Sequence, residues 1–240
     1  MPSDPTLLVH WNGTDGQTSY TTEDDGARTV TFVANAQLDT AQQKFGTASL
    51  LGDGIGDYCT VPASTDWTFG TGNFTIDFWV RFNATAATAI IIGQGTAWAN
   101  FWGLFLSVNG TQLEIWVRDG NVSRLNFSVP WTPSIDTWYH VAIVRNGTTS
   151  GDWFWFVDGT ALTKTLLAGG YDASFVDLGA TLNILDGYQS NEPLNGWIDE
   201  LRIVKGIAKW TSNFTPPTSE YGAAAPTGIM TAKTSYWGDL

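Results

Sequence analysis

The sequence predicts an all-β protein, an antiparallel two-sheet sandwich with very little helix. Apolar residues alternate with period two through most of the chain, pairs of turn-forming Gly, Asp and Asn punctuate it at short spacing, and no stretch carries an apolar stripe at the helical period. In NFTIDFWVRF, Phe74, Ile76, Phe78 and Val80 fall on one face and Thr75, Asp77, Trp79 and Arg81 on the other, which reads as a half-buried strand. TQLEIWVRDG repeats the alternation through Leu113, Ile115 and Val117 before Asp119-Gly120 turns the chain. TWYHVAIVRNGTTSGDWFWFVDGTAL reads as two strands around a loop of Asn146 to Gly151, with a further turn at Asp158-Gly159. Hairpins repeated at this spacing indicate a sandwich. The best helical candidate, Thr40 to Lys44, is only about one turn long.

Composition narrows the partners. With 240 residues the chain is long enough to bury a sizeable core. Aromatics match charged residues at 14% each, and 13 tryptophans exceed what one core needs, so aromatic surface is expected. The net charge of −12 and the dispersed 11 Lys and Arg argue against a nucleic acid, which requires clustered cations. Cys59 is the single cysteine, so no internal disulfide forms, and it reads as a small core residue. The opening MPSDPTLLVHWNG has neither a basic segment nor a long apolar stretch, and no apolar run is long enough to span a bilayer. The expectation is therefore no secretory signal and no membrane insertion. Residues 1–221 read as one domain. After Tyr221 the alternation breaks into GAAAPTGIMTAKTSYWGDL, so residues 222–240 read as a tail or docking arm carrying Tyr236 and Trp237.

Two distant segments, FGTASLLGDGIGDYCTVP (Phe45 to Pro62) and GWIDELRIVKGIAKWTSNFTPP (Gly196 to Pro217), carry a family resemblance. With LLVHWNGTDG, FGTGNFTIDFWVRF, DTWYHVAIVRNGTT and WFVDG between and before them, they follow the order of the laminin-G-like jelly rolls. The chain thus resembles the concanavalin A-like lectin and glucanase superfamily, in the subtype common in phage virion proteins. The resemblance implies a concanavalin A-like jelly roll whose first and last segments pair. It leaves function open, because that superfamily holds both sugar binders and glycan-cleaving enzymes.

The carboxylates favour the binders. Glucanases of this superfamily set nucleophile and acid/base on one strand as E-x-D-x-E or E-x-D-x-x-E, where period two aims both into one cleft. Glu23, Glu114, Glu192, Glu200 and Glu220 fit neither pattern, and the adjacent Asp199 and Glu200 are expected on opposite faces of their strand. No nucleophile elbow or His-x-x-x-His motif occurs, and His10 and His140 read as structural residues among aromatics. The chain is expected not to be an enzyme.

The resemblance also implies one structural Ca²⁺, held by the Asp199 side chain, a carbonyl at Gly52 or Asp53, and a carbonyl near Trp11. Calcium accepts such mixed oxygen ligands. The alternative is that Asp199 caps backbone amides with no ion. For glycans, the candidates are Trp98, Asn100, Phe101 and Trp102 in GQGTAWANFWG and Tyr188, Gln189, Asn191 and Glu192 in DGYQSNEPLNG, both read as loops. Rings stack on pyranose faces while amides and carboxylates bind hydroxyls, although tryptophan equally fills a sandwich core. The functional expectation is a virion surface protein, a capsid decoration or tail component, with host cell-surface glycans, other virion proteins or copies of itself as partners. A secreted or cell-surface bacterial carbohydrate-binding module is the alternative.

Overall fold

The computed structural model describes residues 5–85, 87–187 and 192–222. They form two stacked antiparallel sheets, the jelly-roll sandwich that the alternation and the resemblance predict. The first sheet runs β14 (Thr160–Ala161), β13 (Trp153–Val157), β12 (Trp138–Arg145), β7 (Phe74–Phe82), β17 (Asn195–Lys205), β5 (Ser49–Asp53) and β4 (Gln37–Asp39). β1 (Leu7–Val9) also joins β17. The second sheet runs β15 (Thr165–Gly169), β11 (Val122–Pro130), β10 (Gln112–Asp119), β9 (Asn100–Ser107), β8 (Ala89–Ala97), β16 (Leu182–Ile184), β6 (Tyr58–Val61), β3 (Thr29–Val33) and β2 (Ser19–Thr21). The two resemblance segments meet as expected, with Leu50 to Asp53 of β5 against Asn195 to Ile198 of β17.

Period two sorts the side chains. Ile76 and Phe78 of β7 oppose Ile143 and Val141 of β12, and these join Leu104, Ile115 and Phe127 of the second sheet in one buried core. Cys59 lies in that core, and burial raises its thiol pKa well above the ordinary value. Asp158 and Gly159 both adopt positive φ, 48° and 74°, the geometry of a tight hairpin turn. A side chain at Gly159 would collide with the Phe214 carbonyl, so glycine also admits the returning chain there. Helix among the described residues is confined to the 3₁₀ turns Thr65–Trp67 and Ser150–Asp152. Thr40 to Lys44 bends instead, because carboxylates take its backbone donors: Ala41 N donates to Asp39 and Lys44 N to Asp199.

β7 departs from the half-buried expectation. Thr75 and Asp77 are fully buried because the chain after β17 turns back across the outer face of the first sheet, and Trp79 is nearly so beneath Lys44, whose ammonium lies 3.9 Å from its ring, and Phe45 at 5.8 Å. Thr75 Oγ1 donates to the Ile207 carbonyl at 3.0 Å and accepts from Lys209 N at 2.9 Å. Trp210 and Phe214, stacked 4.0 Å apart, pack on Ala142, Val144 and Phe156. Tyr221 closes the cover. Its hydroxyl donates to Asp77, whose two oxygens also take Arg202 Nε at 3.0 Å and Nη2 at 2.9 Å, with His140 Nε2 at 3.4 Å. The tail beyond Gly222, with Tyr236 and Trp237, lies outside the described residues.

Candidate functional site

The outer face of the second sheet is built differently. β8 and β9 form a hairpin with Trp98 and Ala99 at its tip, and Trp98 is 51% exposed. Its ring stacks on Phe101 at 5.2 Å and meets the edge of Trp116 at 4.8 Å. The Arg118 guanidinium lies 5.0 Å from the Trp98 ring and 5.2 Å from the Trp116 ring, a double cation–π contact. Strand pairing explains the cluster. Phe101 opposes Arg118 and Gly103 opposes Trp116, and directly opposed residues of antiparallel strands share a face. Ile90 and Phe105 extend the same patch along the sheet.

The segment read as a loop is thus mostly strand, which re-sorts its candidates. Trp102 is 1% exposed and donates its Nε1 to Gln94 at 3.2 Å, so this ring fills the sandwich rather than meeting a sugar. Alternation from Asn100 forces that result, since Phe101 faces outward and Trp102 inward. Asn100 Oδ1 accepts from Gly120 N at 2.8 Å, and Asn121 N donates to the Ala99 carbonyl at 3.0 Å. These bonds tie the β8–β9 tip to the β10–β11 tip and brace Trp98. Tyr188, Gln189 and Asn191 lie outside the described residues, but both flanks of their segment reach the patch: Ile90 N donates to the Glu192 carbonyl at 2.9 Å, and Gly187 abuts Ile90. Trp116, Arg118 and Ser123 were not singled out from the sequence. The available signal was a tryptophan and an arginine on the polar face of an alternating strand.

Beside the patch lies an open cleft of about 440 Å³, lined among others by Asp119, Ser123, Arg124, Asp172 and Ser174. Trp116 Nε1 donates to Ser123 Oγ at 2.9 Å, so the ring and the cleft share a wall. Arg124 pairs with Asp119 at 3.2 Å across half-exposed side chains. The arrangement offers a flat exposed ring, hydroxyls, carboxylates and a guanidinium, a donor and acceptor set suited to a polyhydroxylated ligand with apolar faces.

The residues expected around calcium are placed as follows. Asp199 directs one oxygen to the amides of Lys44 and Phe45, at 2.7 and 3.0 Å, and the other to Glu200 N at 2.9 Å. Burial raises its pKa to about 7 despite those amides. Gly52 pairs with Gly196, three residues from Asp199 along β17, or roughly 10 Å at strand rise. Trp11 is a buried ring against Tyr20 and Phe32, with φ at 62°.

Together these features define an antiparallel jelly roll of lectin-like architecture that exposes an aromatic platform at a hairpin tip. Residues 53–209 match the Laminin_G_3 family of the concanavalin A-like lectin/glucanases superfamily, and the chain belongs to that family. No curated protein matches it. Among solved structures it is similar to domain 4 of AbnA, a GH43 extracellular arabinanase from Geobacillus stearothermophilus, in complex with arabinotriose. The TM-score is 0.64 at 13% identity over 85% of this chain and 94% of that one. The binding domain of botulinum neurotoxin serotype D aligns with TM-score 0.61 and 17% identity over 86% of this chain and 49% of that one. The binding domain of Paraclostridial Mosquitocidal Protein 1 gives 0.59 and 14% over 85% and 49%. The chain therefore spans about half of each toxin domain, and at these identities the likeness is one of fold.

Proposed function

We propose that this chain is a non-enzymatic recognition module that binds carbohydrate through the Trp98 platform and the adjoining cleft, displayed on a virion surface. The observation that carries the binding reading is the exposed Trp98 ring, held by Phe101, Trp116 and Arg118, with Trp116 bonded to Ser123 in the wall of the adjoining cleft. The AbnA domain, which shares the fold, is in complex with arabinotriose, the two toxin domains are binding domains, and a further similar structure, the binding domain of botulinum neurotoxin DC, is in complex with rat synaptotagmin II. The non-enzymatic reading rests on the missing glutamate constellation of the glucanases, and the virion setting on the ordered motifs shared with phage proteins. A secreted or cell-surface carbohydrate-binding module would use the same surface. A glycan array followed by calorimetry tests the proposal. The expected result is binding by the wild type and at least tenfold weakening in Trp98→Ala, roughly the worth of one lost stacking ring. Absence of any glycan ligand, or binding untouched by Trp98→Ala and Trp116→Ala, overturns it.

One observation favours an additional protein-contact role. β15 is an edge strand, and its Leu166 and Leu167 are exposed. Apolar side chains on an open edge invite another chain. Sedimentation of the wild type against Leu167→Lys tests this, with self-association lost in the variant as the expected result and a monomer in both as the result that removes the edge-mediated self-contact.

A further inference from the structure

A second cluster lies where β1, the last strand and the returning chain meet. β17 bulges between Asp199 and Arg202, and Glu200 sits in the bulge with φ at 52° and its side chain buried. Adjacent strand residues ordinarily diverge to opposite faces, but the bulge re-aims Glu200 toward the segment after β1. Its Oε1 lies 2.8 Å from His10 Nδ1, and its Oε2 accepts Tyr221 N at 2.8 Å. Glu220 enters from the returning chain, held by Asn12 Nδ2 at 2.5 Å. Ligand atoms of His10, Glu200 and Glu220 all lie within 4.8 Å of one another. Glu23 stands behind them, accepting His10 N at 3.2 Å and the Tyr20 hydroxyl at 2.5 Å.

Charge is unbalanced at this place. Three carboxylates surround one imidazole, and among the described residues no Lys or Arg side chain pairs with any of the three.

We propose that His10, Glu200 and Glu220 form a binding site for a divalent first-row transition metal, Zn²⁺ foremost. One imidazole nitrogen and two carboxylates suit such an ion, whereas Ca²⁺ prefers an all-oxygen shell. Two donors on one ion with bonds of about 2.1 Å stand roughly 3.0–3.4 Å apart, so the His10–Glu200 pair needs to open by only a few tenths of an ångström. Metal would replace the shared proton between Nδ1 and Oε1, while Tyr221 N and Asn12 Nδ2 keep orienting the two carboxylates from outside. The three ligands come from the N-terminal segment, the last strand and the returning chain, so the ion would staple the cover of the first sheet to β1 and β17. The site differs from the calcium arrangement expected at Asp199, whose oxygens are already committed to amides.

Calorimetry with Zn²⁺ alone, and the absorption spectrum with Co²⁺ as its coloured substitute, test the site on the full chain after metal removal. The expected result is one ion per chain, a rise in melting temperature on the order of 5 °C at about 100 times Kd, and no displacement by millimolar Ca²⁺. Glu200 is buried and its loss risks the fold, so the informative variants are the more exposed Glu220→Gln and His10→Gln, each checked for native circular dichroism. Both are expected to weaken Zn²⁺ by about tenfold or more and to abolish the Co²⁺ spectrum. No stoichiometric binding, binding that Ca²⁺ matches, or binding retained in both variants overturns the proposal.

Discussion

The two outer faces of this sandwich start from the same strand chemistry and end in opposite states. On the first sheet, Thr75, Asp77 and Trp79 should face solvent, but the Gly206 to Tyr221 segment covers Thr75 and Asp77, Lys44 and Phe45 cover Trp79, and Asp77 gathers bonds from Arg202, Tyr221 and His140. On the second sheet Trp98 stays half exposed at its hairpin tip; buried polar atoms without hydrogen-bond partners occur on both faces, Arg118 Nε, Asn126 Oδ1 and Ser107 Oγ on the second and Trp79 Nε1 and His140 Nδ1 on the first. The bonds that Arg202, Tyr221 and His140 make to Asp77 form a buried polar network, which rigidifies the first face. The first face is covered by its own chain, and the second presents an exposed ring.

That contrast breaks most decisively at Asp77. Asp77→Asn removes a fully buried carboxylate from the half-buried Arg202 and is expected to cost about 3–5 kcal/mol in urea unfolding; a loss below about 1 kcal/mol would mean the network does not seal the face. Acid should do the same without mutation. Burial alone would raise the Asp77 pKa, but the Arg202 charge and the His140 hydrogen bond hold it below the ordinary value. A depressed carboxyl stabilises fully above its unfolded pKa and loses that contribution as pH falls through the folded one, so the loss is expected below about pH 4. The urea midpoint of the wild type should therefore fall more steeply than that of Asp77→Asn between about pH 5 and pH 3. Equal slopes would assign the acid sensitivity to other carboxylates.

Trp102→Ala and Trp98→Ala sharpen the comparison from the other side. The first removes a buried ring and is expected to cost about 3–5 kcal/mol. Tyr221→Phe, which deletes one hydrogen bond to a charged group on the sealed face, ranks next at about 1.5–3 kcal/mol. Trp98→Ala should cost about 1 kcal/mol or less while removing ligand binding. If Trp98→Ala destabilised as much as Trp102→Ala, the platform would be a structural element and not a binding one.

What could be read from the residues alone follows the range of the interactions. Strand alternation is local, so Phe74, Ile76, Phe78 and Val80 were legible as one face, and so was the turn at Asp158-Gly159. The pairing of β5 with β17 was legible through the motif pair that carries the resemblance. Trp102 reads as a loop residue because AWANFWG, which ends in Gly103 and follows Gly93 and Gly95, has the composition of a loop, although only Trp98 and Ala99 turn the chain. The cover of β7 depends on Trp210 and Phe214 packing on residues more than fifty positions earlier, which no local pattern reveals. The approach of Glu200 to His10 depends on a bulge, and period two predicts the reverse.

The returning segment also ties late residues to early ones. It brings Glu220 beside Asn12 and Tyr221 beside Glu200, while Thr6 bonds to Ile203 and Lys205 of the same last strand. Local opening at one end of the folded body must therefore break bonds held by the other, so the two ends open together rather than fraying separately.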